Sequence, residues 1–362
     1  MSAFPDCHFC CPVPLLTGIV SRIVLCLAAM GPALLVAQPQ AVILQYHHIS
    51  SATPRSTSVT PDEFKAHMDY LRDHDFTVLP LMTVLTALQT GDALPAKPAV
   101  ITFDDAYVSV YETAFPLLRD YDWPFTVFVP SGLVGSNPGL YSSWSQLREM
   151  AGQGATLANH SVSHAYFLER LTGEDDTNWL ARIEKEIVDA EAKILAETGQ
   201  SHKVHAYPYG EYDPAIEALV ERLGFIGLGQ HSGPINATSD FAALPRFPFS
   251  GIYAPVRTFA PKVESLAFDL RQIEPAGPIT DAVRPSAVLE FTGNYRWDAL
   301  ACYVNDRRMQ VEPFEGAGKR FRVTPSSDLG GRRFRYNCTA PGRDGRYFWY
   351  SVPWFNPSQP DR

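Results

Sequence analysis

Between Val42 and Leu228 short apolar runs alternate with amphipathic stretches, and this rhythm constrains the fold more than any other feature of the chain. Val42–Tyr46, Phe76–Leu79, Ala99–Phe103, Phe125–Val129, Ala155–Ala158, Val204–Tyr207 and Phe225–Leu228 read as strands. Thr60-Pro61-Asp62-Glu63 is a capping box with proline at the first helical position, and Phe64, Met68 and Leu71 then share one helical face. Further helices are predicted over Leu81–Gln89, ended by Gly91, from about Tyr107 to Tyr121, and over Ser143–Ala151, 176–198 and Asp213–Leu223. Strand–helix alternation at this spacing implies a parallel sheet with helices outside. About seven such units over roughly 210 residues suit a closed or nearly closed barrel better than an open sheet. Chemistry then belongs at the carboxyl ends of the strands.

The pattern changes after Gly251. Prolines punctuate a linker-like stretch, 251–285. Ala287–Phe291, Ala299–Val304, Arg320–Val323, Phe334–Asn337 and Tyr347–Val352 then read as short strands, with turns at Glu315–Gly318 and Leu329-Gly330-Gly331. These predict a small all-β, sandwich-like module over 286–356. Its aromatics, Tyr295, Trp297, Tyr347, Phe348, Trp349, Tyr350, Trp354 and Phe355, suit a sandwich core and docking onto the barrel better than sugar stacking.

Residues 1–37 read as a signal peptide or an uncleaved N-terminal anchor, with an apolar run from Ile19 to Val36 and Arg22 as its positive flank. The chain is therefore expected in the periplasm or outside the cell, with membrane contact only through this segment if it is uncleaved. Of six cysteines, Cys7, Cys10, Cys11 and Cys26 fall in it, leaving Cys302 and Cys338. Two cysteines in an exported chain most often pair, the alternative being two buried thiols. An apolar fraction of 46% excludes wholesale disorder, and a net charge of -9 argues against nucleic acid as a partner.

Four polar elements follow candidate strands. Thr102-Phe103-Asp104-Asp105 closes a strongly hydrophobic one, and two adjacent acids there are costly unless paired or metal-bound. Alone, the dipeptide reads equally as a helix cap with a first-turn acid. Asn159-His160-Ser161-Val162-Ser163-His164 places two histidines at i and i+4, expected on one face of a helical turn, where they can share a metal. Tyr207-Pro208-Tyr209-Gly210 reads as a rigid turn whose N–H can face a substrate oxygen. Tyr46-His47-His48 ends the first strand. An Asp with two His is a common ligand set that leaves positions open for water.

In this order and spacing the three elements around Asp104, His160 and Tyr209 resemble the polysaccharide deacetylases that share the NodB homology domain, carbohydrate esterase family 4, over residues 41–250. The Tyr46-His47-His48 opening and Leu244-Pro245-Arg246 are similar to the branch containing periplasmic poly-N-acetylglucosamine deacetylases. The resemblance implies a distorted (β/α)7 barrel and metal-dependent hydrolysis of N-acetyl groups on an N-acetylglucosamine-containing polysaccharide. It implies one divalent ion, zinc by preference with cobalt or nickel as alternatives, on Asp105, His160 and His164. It makes Asp104 the base, Tyr209 the oxyanion donor and His47 the acid, with His48 as rival, and gives Ser161 the role of steadying the histidine loop. Strand alternation allows only one of His47 and His48 to point into the barrel mouth. Ala206 stands where the family carries an arginine that orients the base, and Arg246 is the candidate replacement in space. The family's later Asp-x-x-Asp-Trp and Leu-x-Leu-x-His motifs are not evident after residue 230. A non-catalytic glycan-binding relative is the alternative reading.

Overall fold

The computed structural model describes residues 39–314, 319–342 and 344–361. The expected leader or anchor with its four cysteines, and the turn Glu315–Gly318, lie outside them. Among the described residues no helix is long and apolar enough to cross a membrane.

The α/β part is built on one curled sheet, nine strands among the described residues. Its path runs Ile235–Asn236, Gln40–Tyr46, Pro98–Phe103, Thr126–Val129, Thr156–Asn159, Val204–Ala206, Ile226–Leu228. All neighbours on this path are parallel except the short Ile235–Asn236 edge. The segment Leu244–Pro248 spans the gap between the two ends of the series. Leu244 pairs with Leu228, while Phe247 and Pro248 pair with Leu44 and Gln45 of the first strand.

Alternate residues along the strands divide between two cores, as the period of two requires. Val42, Leu44, Tyr46, Ile101, Phe103 and Val127 pack with Phe64, Met68 and Leu71 of the Pro61–Asp73 helix. Ile43, Val100, Phe128, Ala158, Ala206 and Leu228 pack on the other face with the Leu81–Thr90 helix. The capping box forms as expected, Thr60 accepting from the Glu63 N–H while Glu63 reaches back to Thr60. Gly91 ends the second helix at φ 78°, a backbone that favours glycine. Over Tyr107–Tyr121 the expected continuous helix divides into a π-helical turn, Val110–Ala114, and a short α-helix, Phe115–Asp120. Pro116 has no N–H to donate to the fourth residue back, and the wider turn accommodates that loss.

The C-terminal residues form two further sheets. One orders Leu266–Ala267, Tyr347–Phe355, Arg333–Pro341, Ala301–Val304 and Arg307–Arg308; the other orders Leu270–Glu274, Ala287–Phe291, Arg320–Thr324 and Gln310–Pro313. Leu289, Phe291, Val323, Tyr336, Val352 and Trp354 meet in the core they share. Cys302 lies opposite Cys338 across a strand pair, with their Cα atoms 4.0 Å apart and the sulfurs at bonding distance. The stretch 251–285, expected as a linker, carries the helix Val256–Val263 and the strands Leu266–Ala267 and Leu270–Glu274. The strand Tyr347–Phe355 also docks on the α/β part. Trp349 sets its ring edge-on to Phe247 at 5.6 Å, and Phe355 joins Trp179, Ile183 and Tyr212.

Candidate active site

Asp104 continues the parity of Val100 and Thr102 and so points to the same face as Phe128 and Ala206. Its N–H still donates to the Tyr46 carbonyl, extending the strand pairing by one residue. Both Asp104 oxygens are gripped by Arg246, Nη1 at 2.7 Å and Nη2 at 2.9 Å, and Gln45 Nε2 donates to Oδ2 at 2.6 Å. Arg246 is itself fully buried, donates from Nε to the Gly229 carbonyl, and lies over the Phe128 ring at 5.1 Å. Burial pushes the Asp104 carboxyl up, but the Arg246 guanidinium outweighs it and holds the group below its ordinary value. Arg246 thus supplies the guanidinium that holds Asp104, while Ala206 packs in the core beside Leu228.

Asp105 and Ala106 then adopt φ 71° and 52°. Two consecutive left-handed residues turn the chain sharply, so the adjacent acids face different partners. Such conformations cost about 1 kcal/mol or more each and persist where the surroundings fix them. Asp105 Oδ1 lies 3.1 Å from His164 Nε2 and 3.4 Å from His160 Nε2. The three ligand-type atoms all lie within 4.8 Å of one another.

His160 and His164 meet through a loop rather than on the expected helical turn. Ser161 at φ 65° and His164 at φ 57° curl it back, and Ser161 Oγ accepts the His164 N–H at 3.0 Å. Glu186, on the long Asp176–Thr198 helix, accepts the N–H groups of Val162 and Ser163 and the Ser163 hydroxyl. His160 Nδ1 faces the Ala206 carbonyl at 2.7 Å. A carbonyl only accepts, so Nδ1 carries the hydrogen. Burial disfavours the charged ring, but Asp105 and Asp104 outweigh it and raise its pKa, and in the neutral ring Nε2 presents its lone pair to Asp105. That buried Nε2 has no hydrogen-bond partner among the described residues, although it faces a carboxylate. Facing a carboxylate, that nitrogen is satisfied either by its own proton or by a cation held between the two groups. Two imidazole nitrogens and one carboxylate oxygen fit a divalent ion of the zinc kind.

Gln45 faces Asp104, and His47 follows two residues on, half-buried and within electrostatic reach of both Asp104 and Asp105. His48 is buried and stacks on Tyr107 with ring centroids 3.6 Å apart. Burial, then the neighbouring His47, lower its pKa to about 4 against the opposing pull of Asp105. The strand ends at Tyr46, so the expected alternation no longer sends one histidine away, and both lie within electrostatic reach of Asp105. Tyr209, at φ 58°, closes the other side. Its ring meets His164 edge-on at 4.5 Å and stacks flat on Tyr166 at 3.7 Å.

Sequence reasoning missed Gln45, Tyr107, Tyr166 and Glu186. Gln45 carried a usable signal, a polar side chain inside a buried strand. Glu186 carried none, lying among many charges on a solvated helix.

A fold with helices around a curled parallel sheet, and a carboxylate clamped beside an Asp-His-His cluster at its strand ends, is an arrangement suited to a hydrolase of the deacetylase type. The family model for polysaccharide deacetylases matches residues 91–227. The Bacillus subtilis protein YxkH, named as a polysaccharide deacetylase, is 30% identical over 206 residues, 56% of this chain and 69% of its own length. The Escherichia coli poly-β-1,6-N-acetyl-D-glucosamine N-deacetylase is 27% identical over 243 residues, 57% of this chain, and the match spans only 36% of that enzyme. The fold is shared with the Streptococcus pyogenes deacetylase PplD in complex with acetate, at a TM-score of 0.56 and 24% identity, covering 63% of this chain and 99% of that one. It is shared likewise with IcaB from Ammonifex degensii, at a TM-score of 0.55 and 24% identity, covering 63% and 97%. The chain belongs to the polysaccharide deacetylase family. Over a third of it has no counterpart in either solved structure.

Proposed function

We propose that this chain removes N-acetyl groups from an N-acetylglucosamine-containing polysaccharide, releasing acetate and leaving a free amine. The observation that carries the reading is Asp104, buried and clamped by Arg246, one residue from the Asp105–His160–His164 cluster. We take the curled sheet as the family's distorted (β/α)7 barrel over 41–250 and the paired C-terminal sheets as an appended all-β module over 286–356.

Asp105, His160 and His164 would hold one divalent ion, zinc by preference, which when bound supplies Lewis acidity toward water and the acetamide oxygen. Asp104 takes the proton of the attacking water, and Arg246 and Gln45 keep it ionised and aimed. The Tyr209 N–H donates to the oxyanion that develops on the former carbonyl oxygen. His47 protonates the leaving amine, since His48 is packed flat against Tyr107. General acid–base help of this kind contributes ~10²–10⁴-fold per group. Nothing specific favours a non-catalytic glycan-binding role, because the base and all three ligand-type residues converge.

The deciding experiment measures acetate release from poly-β-1,6-N-acetylglucosamine, chitin oligomers and peptidoglycan fragments. Chelator-stripped protein is assayed before and after addition of zinc, cobalt or nickel. Release restored by metal on at least one substrate supports the reading. Full activity without metal removes the ion, and no release from any substrate removes the reaction. His160→Ala is expected to lose bound metal and activity while remaining folded by circular dichroism.

A further inference from the structure

We propose that the C-terminal module builds a second sugar subsite beside the cluster, which takes the neighbouring residue of an N-acetylhexosamine chain. This rests on the deacetylase reading above and adds a place for the polymer. A cavity of about 300 Å³ lies between Tyr209, Gln230 and Tyr253 on one side and Tyr303, Asn305 and Asp306 on the other. The first three follow the carboxyl ends of the strands Val204–Ala206, Ile226–Leu228 and Phe247–Pro248, so the cavity opens at the catalytic end of the sheet. The second three come from the hairpin joining Ala301–Val304 to Arg307–Arg308. Tyr209 is the link between the two places, its ring touching His164 on one side and lining the cavity on the other.

The walls suit a sugar. Tyr253 and Tyr303 line one hollow and are each 37% exposed, with Lys262 covering part of the Tyr253 ring. A pyranose ring offers apolar C–H faces edged with hydroxyls, and a mixed wall of aromatics and a few fixed polar groups binds such a ligand. Asn305 and Asp306 adopt φ 47° and 60°, the two left-handed positions of a tight hairpin turn, and place a carboxamide and a carboxylate at the rim to accept hydroxyl hydrogens. Arg335 donates from Nη1 to the Gln230 carbonyl at 2.9 Å and fastens the module to the barrel loop across the floor of the cavity. The volume lies at the small end of ligand pockets, about 300–1,000 Å³, which fits one sugar residue rather than a longer segment.

The test uses the full chain as wild type, Tyr303→Ala, and the double variant Asn305→Ala with Asp306→Ala. Two substrates are compared: a small chromogenic acetyl ester, which occupies only the cluster, and an N-acetylglucosamine pentamer. Both variants are expected to lose about three- to tenfold in kcat/KM on the pentamer and to match wild type on the ester. Equal loss on both substrates, or no loss on the pentamer, overturns the subsite. Calorimetric titration of the pentamer into Asp104→Asn, with and without Tyr303→Ala, separates this from the catalytic reading. If wild type cleaves the ester and no oligomer, the deacetylase reading fails. The subsite then stands only if Tyr303→Ala weakens pentamer binding, and falls if the parent does not bind the pentamer.

Discussion

Arg332 holds Glu211 with both edges of its guanidinium, Nε to Oε1 at 2.6 Å and Nη2 to Oε2 at 2.8 Å, and so ties the C-terminal sheets to the loop that carries Tyr209. Glu211 is fully buried and Arg332 nearly so, and Arg333 adds a third contact at 2.9 Å. Arg332 also lies over the Tyr166 ring that stacks on Tyr209. Breaking a buried pair outright costs about 3–5 kcal/mol, and removing Arg332 leaves Glu211 with Arg333 alone, so the cost is expected to approach but not exceed that range. Arg332→Met is therefore expected to lower the denaturation midpoint in urea by that equivalent and to reduce turnover. The double variant Arg332→Met with Glu211→Gln is expected to recover much of the stability. If the single variant is as stable as wild type, Arg333 alone satisfies Glu211.

Arg246 is the second point of attack. Arg246→Met keeps the volume of the side chain and removes the fork that holds Asp104. Turnover is expected to fall by at least ~10²-fold, because the base loses both its charge partner and its aim. Metal content, read by atomic absorption, is expected to stay as in wild type, since the ligand set is untouched. Loss of metal in this variant would show that Arg246 supports the whole cluster and not the base.

Lys262 gives the stability of the protein a pH dependence. It is 7% exposed, with Nζ 4.1 Å from the Tyr253 ring and 5.1 Å from that of Phe249, and the charged or titratable groups it feels are Arg335 and His67. Burial first, and then Arg335, lower its pKa from 10.5 to about 7. The unfolded chain therefore holds this proton more tightly than the folded one. Below about pH 7 both states carry it and the folded state bears the whole cost; between about 7 and 10.5 stability rises with pH as the folded form alone releases it. Lys262→Met is expected to be more stable than wild type at pH 6.5 and to flatten that rise. Urea denaturation at pH 6.5 and 9 reads both effects, and parallel curves for the two proteins would sink the assignment.

The Cys302–Cys338 pair closes a separation of 36 residues. Chain entropy assigns such a crosslink ~3–4 kcal/mol. Thiol titration of unfolded, non-reduced protein is expected to find neither cysteine free, and reduction to lower the unfolding midpoint. Two free thiols at these positions would contradict it.

Much of the architecture was legible because strand and helix periods differ. The capping box at Thr60, the helix over 176–198 and the strand at Ala287–Phe291 all fall where the sequence places them. Two kinds of feature were not legible. Leu266–Ala267, Arg307–Arg308 and Phe247–Pro248 are strands of two residues, set by what they lie against and not by their own pattern. The histidine loop was misjudged for another reason. The i and i+4 spacing suits a helix, but left-handed backbone at Ser161 and His164 brings the rings together without one. Among the site residues, Asp104, Asp105, His160 and His164 sit next to strands and could be picked out locally. Gln45 is marked only by being polar inside a buried strand, and Glu186 and the Arg332–Glu211 pair act across long stretches of chain, where no local pattern marks them.

The segment Leu244–Pro248 joins the two ends of the strand series and also carries Arg246. Arg246 and Asp104 are 142 residues apart in sequence. Contacts of such separation form late, because the intervening loop must be closed before they repay its entropy. The strands from Gln40 to Leu228 can pair while Asp104 still lacks its guanidinium partner. An isolated buried carboxylate takes up a proton instead of staying charged. Under the proposed mechanism, catalytic competence then waits on the closing of this seam: a chain ending before Leu244 would carry Asp104, Asp105 and both histidines without the guanidinium that keeps Asp104 charged.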